Sequence, residues 1–415
     1  MINSIKERNR FVLYILPLLA FSCMPPVLAC LFSLFLFVRK QQKVWGIFSL
    51  MFFVLILSYN FYSIDNCSRY ENTKLELIEL IPSGDYLTIL AKWLISTFNV
   101  QFSFVIYLYV LAAYLMLCIS LNRVWNKKWT LAVVSLVVST MSLRYSLDLL
   151  YYTLAVNLAL IFLSKQNLSK YKFLLLIALV YFIHPGFLMV LLPSVLISYT
   201  YNKGTKLYIF SLLIIFCTTY LLSKVTLPAT GIQMLDLLVG QFNDYMDPDN
   251  YWGKRSASSS LTSGLSYILI YIILPLFYFI LFTLTVRYRN VIKSKRIIAL
   301  FQSALIFYPN FISYNTMTER ILLVMSILSV FVMIILNKVG VKFLRLQYIA
   351  CLCSILFLFN AYKASGAVYL HNVFKDDSYQ SIRNRSYYAP SIMLMSFRQF
   401  GYSNEFLDKN IEIKY

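Results

Sequence analysis

The sequence predicts an all-α polytopic integral membrane protein of about 12 transmembrane helices, several of them short broken hairpins. Three observations predict it. Only 13% of the 415 residues are charged, against roughly 25% in soluble domains, while 60% are hydrophobic and mean hydropathy is +0.70. Ten apolar stretches approach the length of about 20 residues that a bilayer requires. Basic residues cluster between alternate stretches, as cytoplasmic loops do.

These features exclude soluble enzymes, nucleic-acid binders and disordered chains. With 11 glycines and no GxGxxG or GxxxxGK[ST], nothing marks a nucleotide site. Seven cysteines lie mostly in apolar stretches, only Cys67 in a polar loop, so they form no disulfide framework. Two histidines leave little for metal binding, and no metal or other cofactor is expected. The first apolar run lacks a small-x-small cleavage site, so no cleavable leader is expected.

The apolar stretches run over 11–38, 44–62, 101–121, 129–163, 172–199, 207–223, 264–286, 297–312, 321–337 and 346–362. The first is read as one long helix; a hairpin at Pro25-Pro26 is the alternative. Two others are too long for one span. The 129–163 stretch holds Arg144 and Asp148, and 172–199 is broken at His184-Pro185-Gly186, where proline disfavours helix in the residue before it. Basic residues flank both ends of each, so each is predicted to be a hairpin.

With those hairpins, and with Lys6, Arg8 and Arg10 counted where the Pro25-Pro26 alternative would place them, 22 of the 37 basic residues fall on one side with a single acid, Glu7. That side carries +21 and the other −1. The chain then divides into a helical transmembrane domain, 1–362, with external loops 63–100 and 224–263, and an external tail, 363–415. Segment 73–97 reads as an amphipathic stretch on the outer interface, broken at Pro82-Ser83-Gly84.

Few polar residues lie on the external side. Arg144 and Asp148 are four apart and share a helical face. Arg144 is either a cationic ligand for an anion or a residue snorkelling at the hairpin's end. His184, between two apolar helices, is either a general base or a hydrogen-bonded histidine stabilising the break. Asp65, Arg69 and Tyr70 form a D-x-x-x-R-Y cluster; its bland reading is a solvated pair. Asp244, Asp247 and Asp249 read foremost as an acidic loop; the alternative is an Asp-x-Asp that holds a divalent cation and a pyrophosphate. Lys254 and Arg255 can meet a phosphate, and Arg320, after Tyr314 and Glu319, opens a late apolar helix. Guanidinium groups suit bidentate phosphate contacts. His371, Arg383, Arg385 and the Tyr387-Tyr388 pair lie in the tail. Together these residues suit a lipid-linked phosphate donor and a neutral polyhydroxyl partner.

Four stretches carry a family resemblance: Asp65 to Tyr70 with Asp85-Tyr86, Leu143-Arg144-Tyr145-Ser146, Phe182-Ile183-His184-Pro185, and Arg320 opening its helix. In order and spacing, over about residues 45–340, the chain resembles the Wzy-type polysaccharide polymerases, in particular the EpsG-like branch of bacterial O-antigen and exopolysaccharide polymerases. Asp148 and Pro185 depart from the usual pattern.

The resemblance implies a GT-C-like fold in the bacterial inner membrane with its active site facing outward. It implies an undecaprenyl-pyrophosphate-linked oligosaccharide as substrate, the bilayer as partner, a chain-length regulator as a further partner, and no nucleic acid. The growing chain would pass from its carrier to the non-reducing end of a new unit, with no metal or nucleotide. Arg144 and Arg320, with Arg69 or Arg255, would hold the pyrophosphate. His184 or Asp65 would deprotonate the acceptor, and Tyr70 and Tyr314 would contact sugars. The rival readings are a flippase or transporter for the same lipid-linked sugars and a membrane acyltransferase that modifies surface polysaccharide.

Overall fold

In the computed structural model, residues 15–40, 42–60, 64–78, 80, 85–124, 149–165, 168–224, 228, 230–231, 235–236, 239–240, 243, 274–311, 315–341, 374, 379–395 and 400–411 are described. Among them the chain is helical, with one isolated bridge between Phe374 and Ile411. Arg144, Asp148, Asp244, Asp247, Asp249, Lys254, Arg255, Tyr314, His371 and the apolar stretch 346–362 lie outside the described residues.

The N-terminal stretch is not one helix. Helix α1 (15–22) and α2 (Pro26–Lys40) are separated at 23–25, where two prolines in succession withhold backbone donors. The chain turns back there. Cys30 on α2 lies beside Ser49 of α3 (Lys43–Asn60), yet Phe21 packs on Trp45 and Phe52 of the same helix, at 6.1 and 6.5 Å between ring centroids. A continuous helix would have carried Phe21 to the level of about residue 58, near the other end of α3, away from Trp45 and Phe52. The expectation of a single long helix is corrected to a hairpin at Pro25-Pro26.

Two short helices follow, α4 (Ile64–Asn72) and α5 (Tyr86–Phe98). Asp85 caps α5 by accepting from the Thr88 N–H, and Asn99 ends it in the left-handed conformation that asparagine tolerates. The polar stretch between the second and third spans is thus partly helical. Helix α6 (Phe102–Val124) comes next, then α7 (Leu150–Leu163).

The stretch 172–199 divides at the expected residues. Helix α8 (Lys170–Ile183) ends at His184, whose backbone is extended (φ −161°, ψ 96°). A single turn, Pro185–Phe187, leads into α9 (Leu188–Thr200). The remaining long elements are α10 (Thr205–Leu222), α11 (Leu274–Arg287), α12 (Lys295–Phe311) and α13 (Asn315–Lys338).

Side-chain contacts tie the basic turns together at one end. Arg123 donates to Ile161 O and to Ser164 Oγ (3.1 Å), Arg296 donates to Lys165 O at 3.2 Å, and Arg289 donates to Thr205 Oγ1 at 3.0 Å. Lys170 and Thr200 therefore lie at the same end, and His184 at the opposite one. The hairpin read from 172–199 is present.

Helices α6, α10 and α13 are long and apolar enough to cross a membrane, with hydropathies of 2.4, 1.7 and 2.4. The chain is a helical membrane protein. Helix α13 is apolar all round, as buried helices are. Its residues Ile321 to Leu336 are almost wholly enclosed by α6, α7, α11 and α12. Helix α10 is the opposite case: Leu207, Phe210, Leu213 and Leu221 are exposed along it. Such an apolar face belongs in lipid rather than water.

The tail folds back over the end opposite the basic turns through α14 (Tyr379–Tyr388), α15 (Ser391–Leu394) and α16 (Asn404–Asn410). The Tyr59 hydroxyl donates to Leu394 O, and Gly401 N–H donates to that hydroxyl. Ser103 Oγ donates to Tyr402 O and Phe102 N–H to Asn404 Oδ1. The Tyr70 hydroxyl donates to Asp408 Oδ1 at 2.9 Å, and Lys74 Nζ lies 2.8 Å from the same oxygen. Cys67 is fully buried on α4, close to Tyr402.

Lys74 holds the Asp408 carboxyl below its ordinary value, and the Tyr70 hydroxyl adds to this. A carboxylate depressed by folding contributes stability above its unfolded pKa and loses it as pH falls through the folded value. Wild type should thus outlast Asp408→Asn in thermal unfolding at neutral pH, and the gap should close as pH drops below about 4. In a variant keeping only Cys67, deleting 400–415 should speed maleimide labelling at least about tenfold. Equal labelling would show that the tail does not cover α4.

Candidate functional site

The first turn of α7 presents Tyr151 and Tyr152, and three charged or ionisable residues gather around them. Neighbours on a helix point about 100° apart, so the two rings face different elements. Tyr151 faces α4 and α5. Arg69 lies over its ring with Cζ 4.1 Å from the centroid, and the Tyr151 hydroxyl is 3.1 Å from Thr88 Oγ1.

Arg69 is held from its other side by its own helix: Nη1 donates to Asn66 Oδ1 at 3.0 Å, a contact that the i, i+3 spacing allows. Thr88 in turn donates to Asp85 Oδ2 at 2.6 Å. The N-cap of α5 therefore fixes a threonine that fixes Tyr151. Tyr109 of α6 closes the back, with ring centroids 5.9 Å apart, and donates its hydroxyl to Leu87 O.

Tyr152 faces the break between α8 and α9 and the start of α13. His184 stands edge-on to it, centroids 5.1 Å apart at 88°, and Phe187 does the same at 5.5 Å. The guanidinium of Arg320 lies 5.8 Å from the Tyr152 centroid. Arg320 is only 6% exposed, in the second turn of the most buried helix.

The charges of Arg320 and Arg69 both act on the imidazole, Arg320 more strongly. His184 Nδ1 is buried and has no hydrogen-bond partner among the described residues. The break itself has a local cause. Pro185 forces the residue before it out of the helical region, and Gly186 leaves room for the ring. A Cβ on Gly186 would stand 3.1 Å from His184 Cε1 and 3.3 Å from Nδ1.

Of the residues read from the sequence, Arg69, His184 and Arg320 come together. Asp65 lies on the first turn of α4, the helix that carries Arg69. Tyr70 is turned away: it is 5% exposed, packs on Phe102 at 5.3 Å, and spends its hydroxyl on Asn404 O and Asp408. It is a docking residue for the tail rather than a surface open to a sugar ring. Arg144, Arg255 and Tyr314 lie outside the described residues. Tyr151, Tyr152, Thr88 and Asn66 were not singled out in the sequence. The signal available was a Tyr-Tyr pair inside the apolar stretch 129–163, a few residues after Arg144 and Asp148.

Chemically, the cluster offers two guanidinium groups for an anion and an imidazole nitrogen without another engagement, set between aromatic walls. No protein family, characterised protein or solved structure matches the chain.

The crowding at Gly186 gives a direct test of the His184 position. Gly186→Ala should lower stability by about 1–3 kcal/mol as the imidazole is displaced. His184→Ala in the same chain should relieve most of that cost, because the clashing atoms are gone. Thermal unfolding of the two single variants and the double variant measures the coupling. Additive effects would place the ring elsewhere.

Proposed function

We propose that the protein is a polysaccharide polymerase of the Wzy type, a glycosyltransferase with a GT-C-like helical fold. It takes oligosaccharide repeat units on undecaprenyl pyrophosphate at the outer face of a bacterial inner membrane. The observation that carries this reading is the convergence of Arg69, Arg320 and His184 on the Tyr151-Tyr152 pair. Those residues come from three of the four stretches on which the resemblance rests. The basic turns at the other end suit the cytoplasmic side under the positive-inside rule. The reading carries with it about 12 spans with the N-terminal stretch counted once, and one more pass with it counted as a hairpin.

The reaction follows from the groups. An acceptor hydroxyl at the non-reducing end of a new unit attacks the anomeric carbon of the donor. The bond from that carbon to the pyrophosphate oxygen breaks, and undecaprenyl pyrophosphate leaves with the electron pair. Arg69 and Arg320 stabilise the negative charge that grows on the leaving oxygen, and a low-dielectric site makes each such contact worth more than in water. The His184 imidazole takes the proton from the hydroxyl. Positive charge beside an imidazole opposes that proton transfer, and the donor's phosphates offset the charge. Base action at His184 is thereby tied to an occupied donor site. Arg144 and Arg255 are further candidates for the pyrophosphate, Asp65 for the base and Tyr314 for the sugar.

The test is the surface-polysaccharide ladder of a deletion strain complemented with variants. Arg69→Ala, Arg320→Ala and His184→Ala should each reduce long chains at least about 100-fold, in line with the loss of an oxyanion donor or a general base, while protein levels hold. Normal ladders from all three would overturn the site. The deletion strain itself separates the rivals. Single-unit product marks a polymerase, absence of the polysaccharide a flippase, and a normal ladder lacking an acyl group an acyltransferase.

A further inference from the structure

Arg289 is a buried charge that the site does not use. It follows α11 at the basic end and is 8% exposed. Its guanidinium lies 4.8 Å from the Tyr208 ring centroid and donates one hydrogen bond, from Nη2 to Thr205 Oγ1. Its other side-chain N–H groups find no acceptor among the described residues, and no carboxylate lies against it.

The sequence explains that lack. There is no acidic residue between Asp148 and Asp236, nor between Asp249 and Glu319. The helices around Arg289 come from these two stretches. A cation this enclosed is disfavoured without a counter-charge, and its remaining nitrogens are not fully enclosed, so an anion from elsewhere can reach it. Around it Lys203, Lys206, Arg287 and Lys293 are exposed, all of one sign.

We propose that Arg289 and Thr205 bind the phosphate of an anionic phospholipid headgroup. Position and surroundings select a lipid. Thr205 is the first residue of α10, a membrane-spanning helix, so the site lies where headgroups lie. On the same face of that helix, four, eight and eleven residues on from Thr205, Ile209, Leu213 and Phe216 are exposed, an apolar track for acyl chains below the phosphate. The planar guanidinium presents paired donors to phosphate oxygens, the Thr205 hydroxyl stands beside it, and Lys206 and Lys293 supply the remaining charge. Basic pockets between membrane helices recognise anionic headgroups in this way. This site is remote from His184 and does not depend on the polymerase reading.

The experiment is thermal unfolding of the full chain in nanodiscs of phosphatidylcholine alone, the same with inorganic phosphate, and phosphatidylcholine with phosphatidylglycerol. Phosphatidylglycerol should raise the wild-type midpoint by a few degrees, since a ligand that binds only the folded state stabilises it. Arg289→Gln should lose that rise, and Arg289→Lys, which keeps the charge but not the fork, should keep only part of it. No rise in wild type, or an equal rise in Arg289→Gln, would overturn the site. An equal rise from inorganic phosphate would overturn the lipid. Should Arg289→Gln not fold, lipid retained by detergent-purified wild type and Arg289→Lys decides: phosphatidylglycerol enriched on wild type and reduced on Arg289→Lys supports the site, and equal retention overturns it.

Discussion

Two adjacent tyrosines at the start of α7 decide how the far end of the molecule is arranged. Because successive helical residues diverge by about 100°, Tyr151 and Tyr152 cannot face the same neighbour. One ring takes Arg69 and the cap of α5, and the other takes His184, Phe187 and Arg320. Elements from four separate parts of the chain are thereby set around one short turn. The π faces suit the task, since an aromatic ring attracts a guanidinium without neutralising it. A carboxylate in the same place would hold the arginines and also cancel their charge.

Part of this was legible in the sequence. The break at His184 was legible because proline and glycine act locally. Pro185 restricts its predecessor, and Gly186 lacks the atom that would strike the ring. Arg69 and Arg320 stood out because charge is scarce in so apolar a chain. Tyr151 and Tyr152 did not, because tyrosine is abundant here and its burial is a matter of tertiary packing. Tyr70 looked like an exposed aromatic. Its partners lie more than 330 residues away, and no local pattern records such a pairing. At the N-terminus the proline pair was visible, but only Phe21 against α3 distinguishes a hairpin from a kinked span.

The two ends of the bundle solve the same electrostatic problem differently. At the end bearing His184, the two arginines of the cluster are set against rings and short polar side chains, and the helices are stitched by a tail rich in tyrosine and asparagine. At the other end the turns hold one another through arginine donors to backbone carbonyls at Ile161 and Lys165. Those contacts leave the positive charge intact. Arg289 shows how far this goes: the chain tolerates a nearly enclosed guanidinium held by one hydroxyl and the Tyr208 ring. Charge asymmetry along the membrane normal is thus built from contacts that organise the turns without neutralising them.

The docking of the tail also bears on biogenesis. Helix α4 joins Asp408 through Tyr70, a separation of 338 residues. Insertion of a membrane protein proceeds from the N-terminus as the chain is made. Helix α4, with Arg69 on it, therefore waits through the synthesis of every later span before residue 408 exists to meet it. The cluster around Tyr151 gains its final brace only after the rest of the bundle has been threaded into the bilayer.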